Sequence, residues 1–251
     1  MSVPKGMDKS ATLYGVGLGP GDPELVTLKA LRVLRAAPVV AHFRKKGRAG
    51  HARTIAASHL PDGVVEAAFE YPVTTEVDFR DEAYVTAIRD FYVESAAAIA
   101  AHLDAGHDVA LLCEGDPFFY GSFLHMYDRL KSRHRVVIVP GITGMSGCWT
   151  AAAAPITYGD DVLTVLPGTL DRVALARHLE GTDAAVIMKV GHNIEKIRDA
   201  LSATGRLADA IYVERGTMQG ERVVPLAKLD DAAVPYFSII LVPGGRGRRI
   251  A

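Results

Sequence analysis

The segment LYGVGLGPGDPELVTLKA (13–30) runs from an apolar stretch through a glycine-rich turn into a leucine-spaced stretch, and LLCEGDPFFYGS (111–122) repeats the move. In both, the apolar run stops at Gly-Asp-Pro. Glycine lets the chain turn sharply, Asp accepts hydrogen bonds from free backbone N–H groups, and Pro tolerates the first helical position. Each copy therefore predicts a strand that ends, turns and starts a helix capped by Asp22 or Asp116. Both copies then sit at carboxyl ends of strands, the edge where open α/β sheets bind ligands.

Outward from these marks, apolar runs at 12–17, 38–43, 63–69, 108–113 and 135–140 read as further strands. Between the first two, Leu25, Leu28, Leu31 and Leu34 recur at helical spacing, which predicts one helix over 22–37. A second long helix is expected over 80–106, closed by Gly106. Strands separated by crossover helices imply a mainly parallel sheet covered on both faces. After Thr150 the units shorten to VLTVLP, AAVIMKV, AIYVERG, ERVVPL and YFSIILVP. The last two are too close for a helical crossover, so antiparallel pairing enters. The expected organisation is a flexible tail at 1–10, an N-terminal α/β domain at 11–149, and a C-terminal α/β domain with a mixed sheet at 150–251.

The 28 basic and 29 acidic residues nearly cancel, so no global field favours nucleic acid. Cys113 and Cys148 are the only cysteines, and His and Cys lack metal-ligand spacing; no disulfide framework or metal site is expected. The polar start lacks a secretion signal and no run is long enough for a membrane helix, so a cytoplasmic protein is expected. Arg246, Arg248 and Arg249 read as a basic tail.

Three loops could carry chemistry. In the first, Gly15 and Gly17 begin a G-x-G-x-x-G fingerprint, but Pro20 stands at its third glycine, so NAD binding is disfavoured. In the second, Phe118, Phe119 and Tyr120 crowd Glu114 and Asp116. Core packing accounts for two of these rings; a pocket for a flat or cationic ligand is the other reading. The third, VPGITGMSG (139–147), offers backbone that a ligand can approach closely, but lacks the Lys of a P-loop. From Ala36 to Pro61 there is no acidic residue, while Arg44, Lys45, Lys46, Arg48 and Arg53 accumulate. Such a run is usually a solvated loop, and here it could also form a cationic rim for an acidic substrate.

GVGLGPGDPELVTLKA, EGDPFFYGS, VPGITGMSG and YVERGTMQGERVV occur in the order found in the tetrapyrrole (corrin/porphyrin) methylases, which the chain resembles from about residue 12 to 242. Within that family, AFEYPVTTEVDF (68–79) and PYFSIILVP (235–243) are most similar to precorrin-2 C-20 methyltransferases of cobalamin biosynthesis. The resemblance implies two α/β domains with the active site in the cleft between them, a homodimer, and S-adenosylmethionine as methyl donor. By motif position, the donor would contact Pro20, Glu114, Gly115, Asp116, Phe119, Thr143, Gly144, Met188, Gly216 and Thr217. Gly144 stands where many relatives have Ser, which leaves only backbone contacts there. The substrate would be a small-molecule tetrapyrrole bearing many carboxylates, met by the basic segment. The reaction would be transfer to a meso carbon, with cobalt-factor II or, in another class, RNA or protein as alternative acceptors. Tyr120, Tyr71 and His42 are the candidates for a general base, and no choice among them follows from the sequence.

Overall fold

A computed structural model describes residues 10–73, 82–230 and 234–245. The expected tail (except Ser10), the start of the long helix at 80–81 and the arginines at 246, 248 and 249 lie outside these residues. The chain forms two compact units, 1–143 and 144–251.

The first unit runs β1 (Thr12–Gly17), α1 (Leu28–Ala36), β2 (Val39–Lys45), α2 (His51–Ala56), β3 (Val65–Tyr71), α3 (Glu82–Asp104), β4 (Val109–Cys113), α4 (Phe123–Leu130) and β5 (Arg135–Val139). Its sheet is parallel throughout, in the order β3-β2-β4-β1-β5. Strand alternation sends Leu13, Val39, Val109 and Leu111 to the face covered by α3 and α4. Val16, Val40, Ala110 and Leu112 go to the face covered by α1 and α2. Adjacent strands β1 and β4 therefore lead to helices on opposite faces, and their carboxyl ends mark the switch point of the sheet.

The helix expected over 22–37 is broken. Asp22 accepts the N–H of Glu24 at 2.8 Å and caps only a single 3₁₀ turn, Pro23–Leu25. Thr27 then caps α1 by accepting the N–H of Ala30 at 3.2 Å. Repeated steps of three residues drift by about 60° each around a helix, so four such leucines cannot share one face. Accordingly Leu34 is buried, while Leu28 is 80% exposed. The second Gly-Asp-Pro departs further: α4 begins only at Phe123, after Ser122, and Asp116 caps no helix.

The second unit runs α5 (Gly144–Ala151), β6 (Leu163–Pro167), α6 (Arg172–Glu180), β7 (Ala184–Met188), α7 (Ile194–Ala203), β8 (Ile211–Glu214), β9 (Arg222–Pro225) and β10 (Ser238–Val242). The sheet order is β6-β7-β10-β8-β9. β6 and β7 are parallel, while β10 lies antiparallel to both β7 and β8. The mixed sheet is as expected, but ERVVPL and YFSIILVP do not pair with each other: β9 forms a hairpin with β8, and β10 inserts between β7 and β8. Consequently β6, β7 and β8 all point their carboxyl ends to one edge. Among the described residues, no helix is long and apolar enough to cross a membrane.

Candidate active site

At the switch point of the first unit, three glycines replace side chains with backbone. A Cβ on Gly141 would lie 2.0 Å from the Gly115 carbonyl oxygen, and one on Gly17 would lie 2.5 Å from the Gly141 nitrogen. The turns after β1, β4 and β5 thus meet at a point where no side chain fits. Gly115, at φ +63°, and Gly19 exchange two backbone hydrogen bonds of 2.8 and 3.3 Å. Pro20 follows, buried.

Asp116 fastens this arrangement. Its Oδ1 accepts the N–H of Phe118 at 2.9 Å and its Oδ2 accepts the N–H of Gly141 at 3.1 Å. The carboxylate therefore closes its own turn and ties it to the turn after β5. The aromatic run divides. Phe118 packs edge-on to Tyr127 at 5.0 Å, whereas Phe119 and Tyr120 pack on each other at 4.9 Å. Tyr120 is held at φ +55° and is 47% exposed. Such left-handed backbone is costly for a residue with a Cβ, and it recurs in loops that serve function. Glu114 turns away from its neighbours: Oε1 accepts the N–H of Ala52 in α2 at 3.0 Å.

The other base candidates are engaged within the unit. The Tyr71 hydroxyl lies 2.7 Å from Ser122 Oγ, within a cluster of Phe43, Phe91 and Tyr92 rings. His42 is buried; burial holds its pKa below the usual histidine value, against the opposing pull of Glu66 3.6 Å away. The basic segment is partly neutralised. Arg44 pairs with Glu70 at 2.8 Å, and Arg53 forms two 2.7 Å bonds to Glu66. Hydrogen bonding from Arg53 lowers the Glu66 pKa. Lys45, Lys46 and Arg48 are exposed at the turn between β2 and α2.

In the second unit, the candidates gather at the shared carboxyl edge of β6, β7 and β8. Half-buried Met188 ends β7, and its carbonyl accepts the N–H of Gly168 at 2.7 Å. The next residue, Lys189, is at φ +56°, and beyond β8 Arg215 and Thr217 are at +50° and +67°. Between them Gly216 packs on α5, where a Cβ would lie 2.9 Å from Cys148 Sγ. Thr217 donates its N–H to Glu221 at 2.7 Å, but its Oγ1 is buried with no hydrogen-bond partner among the described residues. A buried hydroxyl without a partner is uncommon and suits a ligand's polar group. Thr143 is half-buried just before α5, and Gly144 opens that helix with only Ile239 near its missing Cβ, at 4.0 Å.

Both edges offer glycine backbone, carbonyls and short hydroxyls rather than a nucleophile. Burial holds the Cys113 thiol well above its ordinary pKa and pushes Cys148 up to about 12, so neither is a ready thiolate. Among the described residues no group of three His, Cys, Asp or Glu could hold a metal ion. Sequence reasoning did not find the contact of Gly17, Gly115 and Gly141, or Ser122. The only signal was a glycine at or just past the end of each of three predicted strands.

Residues 12–233 match the family model of the tetrapyrrole (corrin/porphyrin) methylases. The chain is 55% identical over 236 residues to a precorrin-2 C(20)-methyltransferase of Sinorhizobium, covering 94% of this chain and 96% of that protein. It is 50% identical to the cobalamin biosynthesis protein CobIJ of Mycobacterium tuberculosis, over 97% of this chain but only 48% of that longer protein. Identity to the cobalt-precorrin-2 C(20)-methyltransferase of Salmonella typhimurium is 29%, over 92% of this chain and 95% of that protein. The fold is shared with the crystal structure of a cobalt precorrin-4 methyltransferase, at TM-score 0.73 and 22% identity, over 96% of this chain and 97% of that one.

Proposed function

Because the chain belongs to the tetrapyrrole (corrin/porphyrin) methylases and is an S-adenosylmethionine-dependent methyltransferase, we propose that it methylates precorrin-2 at C-20, giving precorrin-3A in cobalamin biosynthesis. The observation that carries this reading is the 55% identity, over nearly the whole of both chains, to a protein of that activity. Identity to the protein named for the cobalt-containing substrate is 29%, which favours metal-free precorrin-2 over cobalt-factor II. An RNA acceptor is disfavoured further, since Arg44 and Arg53 are neutralised by Glu70 and Glu66.

When bound, S-adenosylmethionine would supply an electrophilic methyl on a sulfonium; a meso carbon of the reduced macrocycle would take that methyl in line, S-adenosylhomocysteine would leave, and the meso carbon would then lose its proton. The chain's own task is positioning, which can account for about 7–11 kcal/mol of such a barrier. On the first unit the proposed donor contacts are Pro20, Gly115, Asp116, Phe119 and Thr143, with backbone presented where no Cβ fits. On the second they are Gly144, Met188, Gly216 and Thr217, whose unpartnered hydroxyl fits a polar group of the donor. Of the three base candidates, Tyr120 is the exposed one and is proposed to face the reacting macrocycle. Family resemblance supports a homodimer, which light scattering on the purified protein would test. Turnover of precorrin-2 against cobalt-factor II, under reducing conditions and with equal donor, tests the substrate. Faster turnover of the cobalt compound would overturn the metal-free assignment.

A further inference from the structure

Glu114 belongs to the loop that the family resemblance assigns to the methyl donor, yet its carboxylate serves another element. The bond from Ala52 N–H to Glu114 Oε1, 3.0 Å long, spans 62 residues of sequence. Ala52 is the second residue of α2, and the N-cap, Gly50, has no side chain with which to satisfy that N–H. A local Ser or Asp cap is barred, because a Cβ on Gly50 would lie 2.7 Å from the Phe43 carbonyl oxygen and 3.0 Å from His42 Nδ1. The cap is therefore supplied from the end of β4. One residue on, α2 is tied to β3 by the two 2.7 Å bonds from Arg53 to Glu66. Both tethers hold the first turn of α2, whose Ala52, Ile55 and Ala56 pack in the core, directly after the turn at 46–50 with its exposed Lys46 and Arg48. The bonds that shape the donor loop, between Gly19 and Gly115 and between Asp116 and Gly141, do not involve the Glu114 side chain.

We infer that Glu114 is a positioning residue for the tetrapyrrole and not a ligand of the methyl donor: by capping α2 it fixes the basic turn that receives the substrate's carboxylates. The inference rests on the function proposed above for the identity of that polycarboxylate. A carboxylate at β4 thereby links the donor loop's own strand to the substrate-facing turn, through a hydrogen bond that an amide oxygen can also accept.

The test compares full-length Glu114→Ala and Glu114→Gln with the unsubstituted protein. Amide exchange across 51–56 should quicken in Glu114→Ala and stay normal in Glu114→Gln. Losing one cap should raise the Michaelis constant for precorrin-2 about fivefold in Glu114→Ala, with kcat kept and with rescue in Glu114→Gln. Combined with Lys46→Ala and Arg48→Ala, the effect should be less than additive, because both changes act on one turn. Affinity for S-adenosylhomocysteine, read by calorimetry, should be unchanged. Weakened S-adenosylhomocysteine binding with normal exchange at 51–56 would overturn the inference and make Glu114 a donor ligand; so would full additivity with the turn variants. Should the unsubstituted protein not turn over precorrin-2, the function reading fails alone. Exchange and calorimetry then still decide the role of Glu114, quicker exchange with unchanged affinity upholding it.

Discussion

Asp116 Oδ2 accepts the backbone N–H of Gly141 at 3.1 Å, joining the turn after β4 to the turn after β5 across the end of β1. The same carboxylate holds Phe118 N–H at 2.9 Å, so one side chain sets the shape of two loops. Asp116→Ala removes both bonds and should cost about 2 kcal/mol of stability, at about 1 kcal/mol each. A domain with about 5–15 kcal/mol of stability stays folded under that loss. In-line displacement is more sensitive, and a displaced loop should slow methyl transfer on the order of 100-fold. Thermal unfolding, donor affinity and single-turnover rate would be measured on one preparation. A variant that loses stability but keeps affinity and rate would reduce Asp116 to a turn residue.

Gly141→Ala should be worse tolerated than Gly144→Ala. The first places a Cβ 2.0 Å from the Gly115 carbonyl oxygen, which is backbone and has little room to move. Overpacking of that kind costs about 1–3 kcal/mol and should widen the contact of the three glycines. At Gly144 the nearest atom would be Ile239 Cδ1 at 4.0 Å, and an alanine at the start of α5 should be neutral or stabilising. Urea unfolding of the two variants ranks them, and equal midpoints would contradict the close approach.

Thr217 separates stability from binding. Glycine at this position relieves a left-handed residue and deletes a buried hydroxyl that lacks a partner. Thr217→Gly should therefore leave the melting temperature unchanged or raise it, against the usual direction for glycine substitutions. If the hydroxyl serves the donor, affinity for S-adenosylhomocysteine should fall about tenfold, the equivalent of roughly 1.4 kcal/mol. A variant that binds the donor normally would leave Thr217 without a function.

Stability should fall in two steps on acidification. Burial lowers the His42 pKa from 6.5 despite Glu66 beside it, with Arg44 and Arg53 adding to the effect. The folded state thus favours neutral His42, and its contribution is complete above pH 6.5 and declines as pH falls toward the lower folded value. His125, stacked on Tyr92, is lowered in the same direction by burial and Arg129. Glu66, lowered from 4.5 chiefly by its Arg53 hydrogen bond, contributes above that pH and declines below it. Melting temperature against pH should show the upper step flattened in a His42→Gln, His125→Gln double variant and the lower step retained. An unchanged upper step would place its origin elsewhere.

The sheet of the first unit was legible because strand, crossover and strand recur with turn residues at each boundary. Gly-Asp-Pro marked the carboxyl ends of β1 and β4 for an incomplete reason: both Asp residues bind backbone N–H groups, but neither caps the long helix expected after it. The distant partner of Asp116, Gly141, lies 25 residues away and that of Glu114, Ala52, lies 62 away, and such pairings depend on strand order, which periodicity does not encode. For the same reason the run from Arg44 to Arg53 looked more cationic than it is. Glu66 and Glu70 come beside it only through the parallel register of β2 with β3. The left-handed residues Lys189, Arg215 and Thr217 carry no local mark, since nothing in their side chains asks for positive φ. The family motifs supplied candidate donor residues, whereas the geometry shows which of them hold backbone and which present unpaired atoms.

The most direct measurement is to supply S-adenosylmethionine carrying a ¹³C-labelled methyl with precorrin-2, exclude oxygen, and locate the label in the product by carbon NMR and mass. The account predicts one added methyl, bonded to the C-20 meso carbon, and stoichiometric S-adenosylhomocysteine. A label at any other carbon, or no transfer to precorrin-2 under conditions where the protein binds the donor, would contradict it.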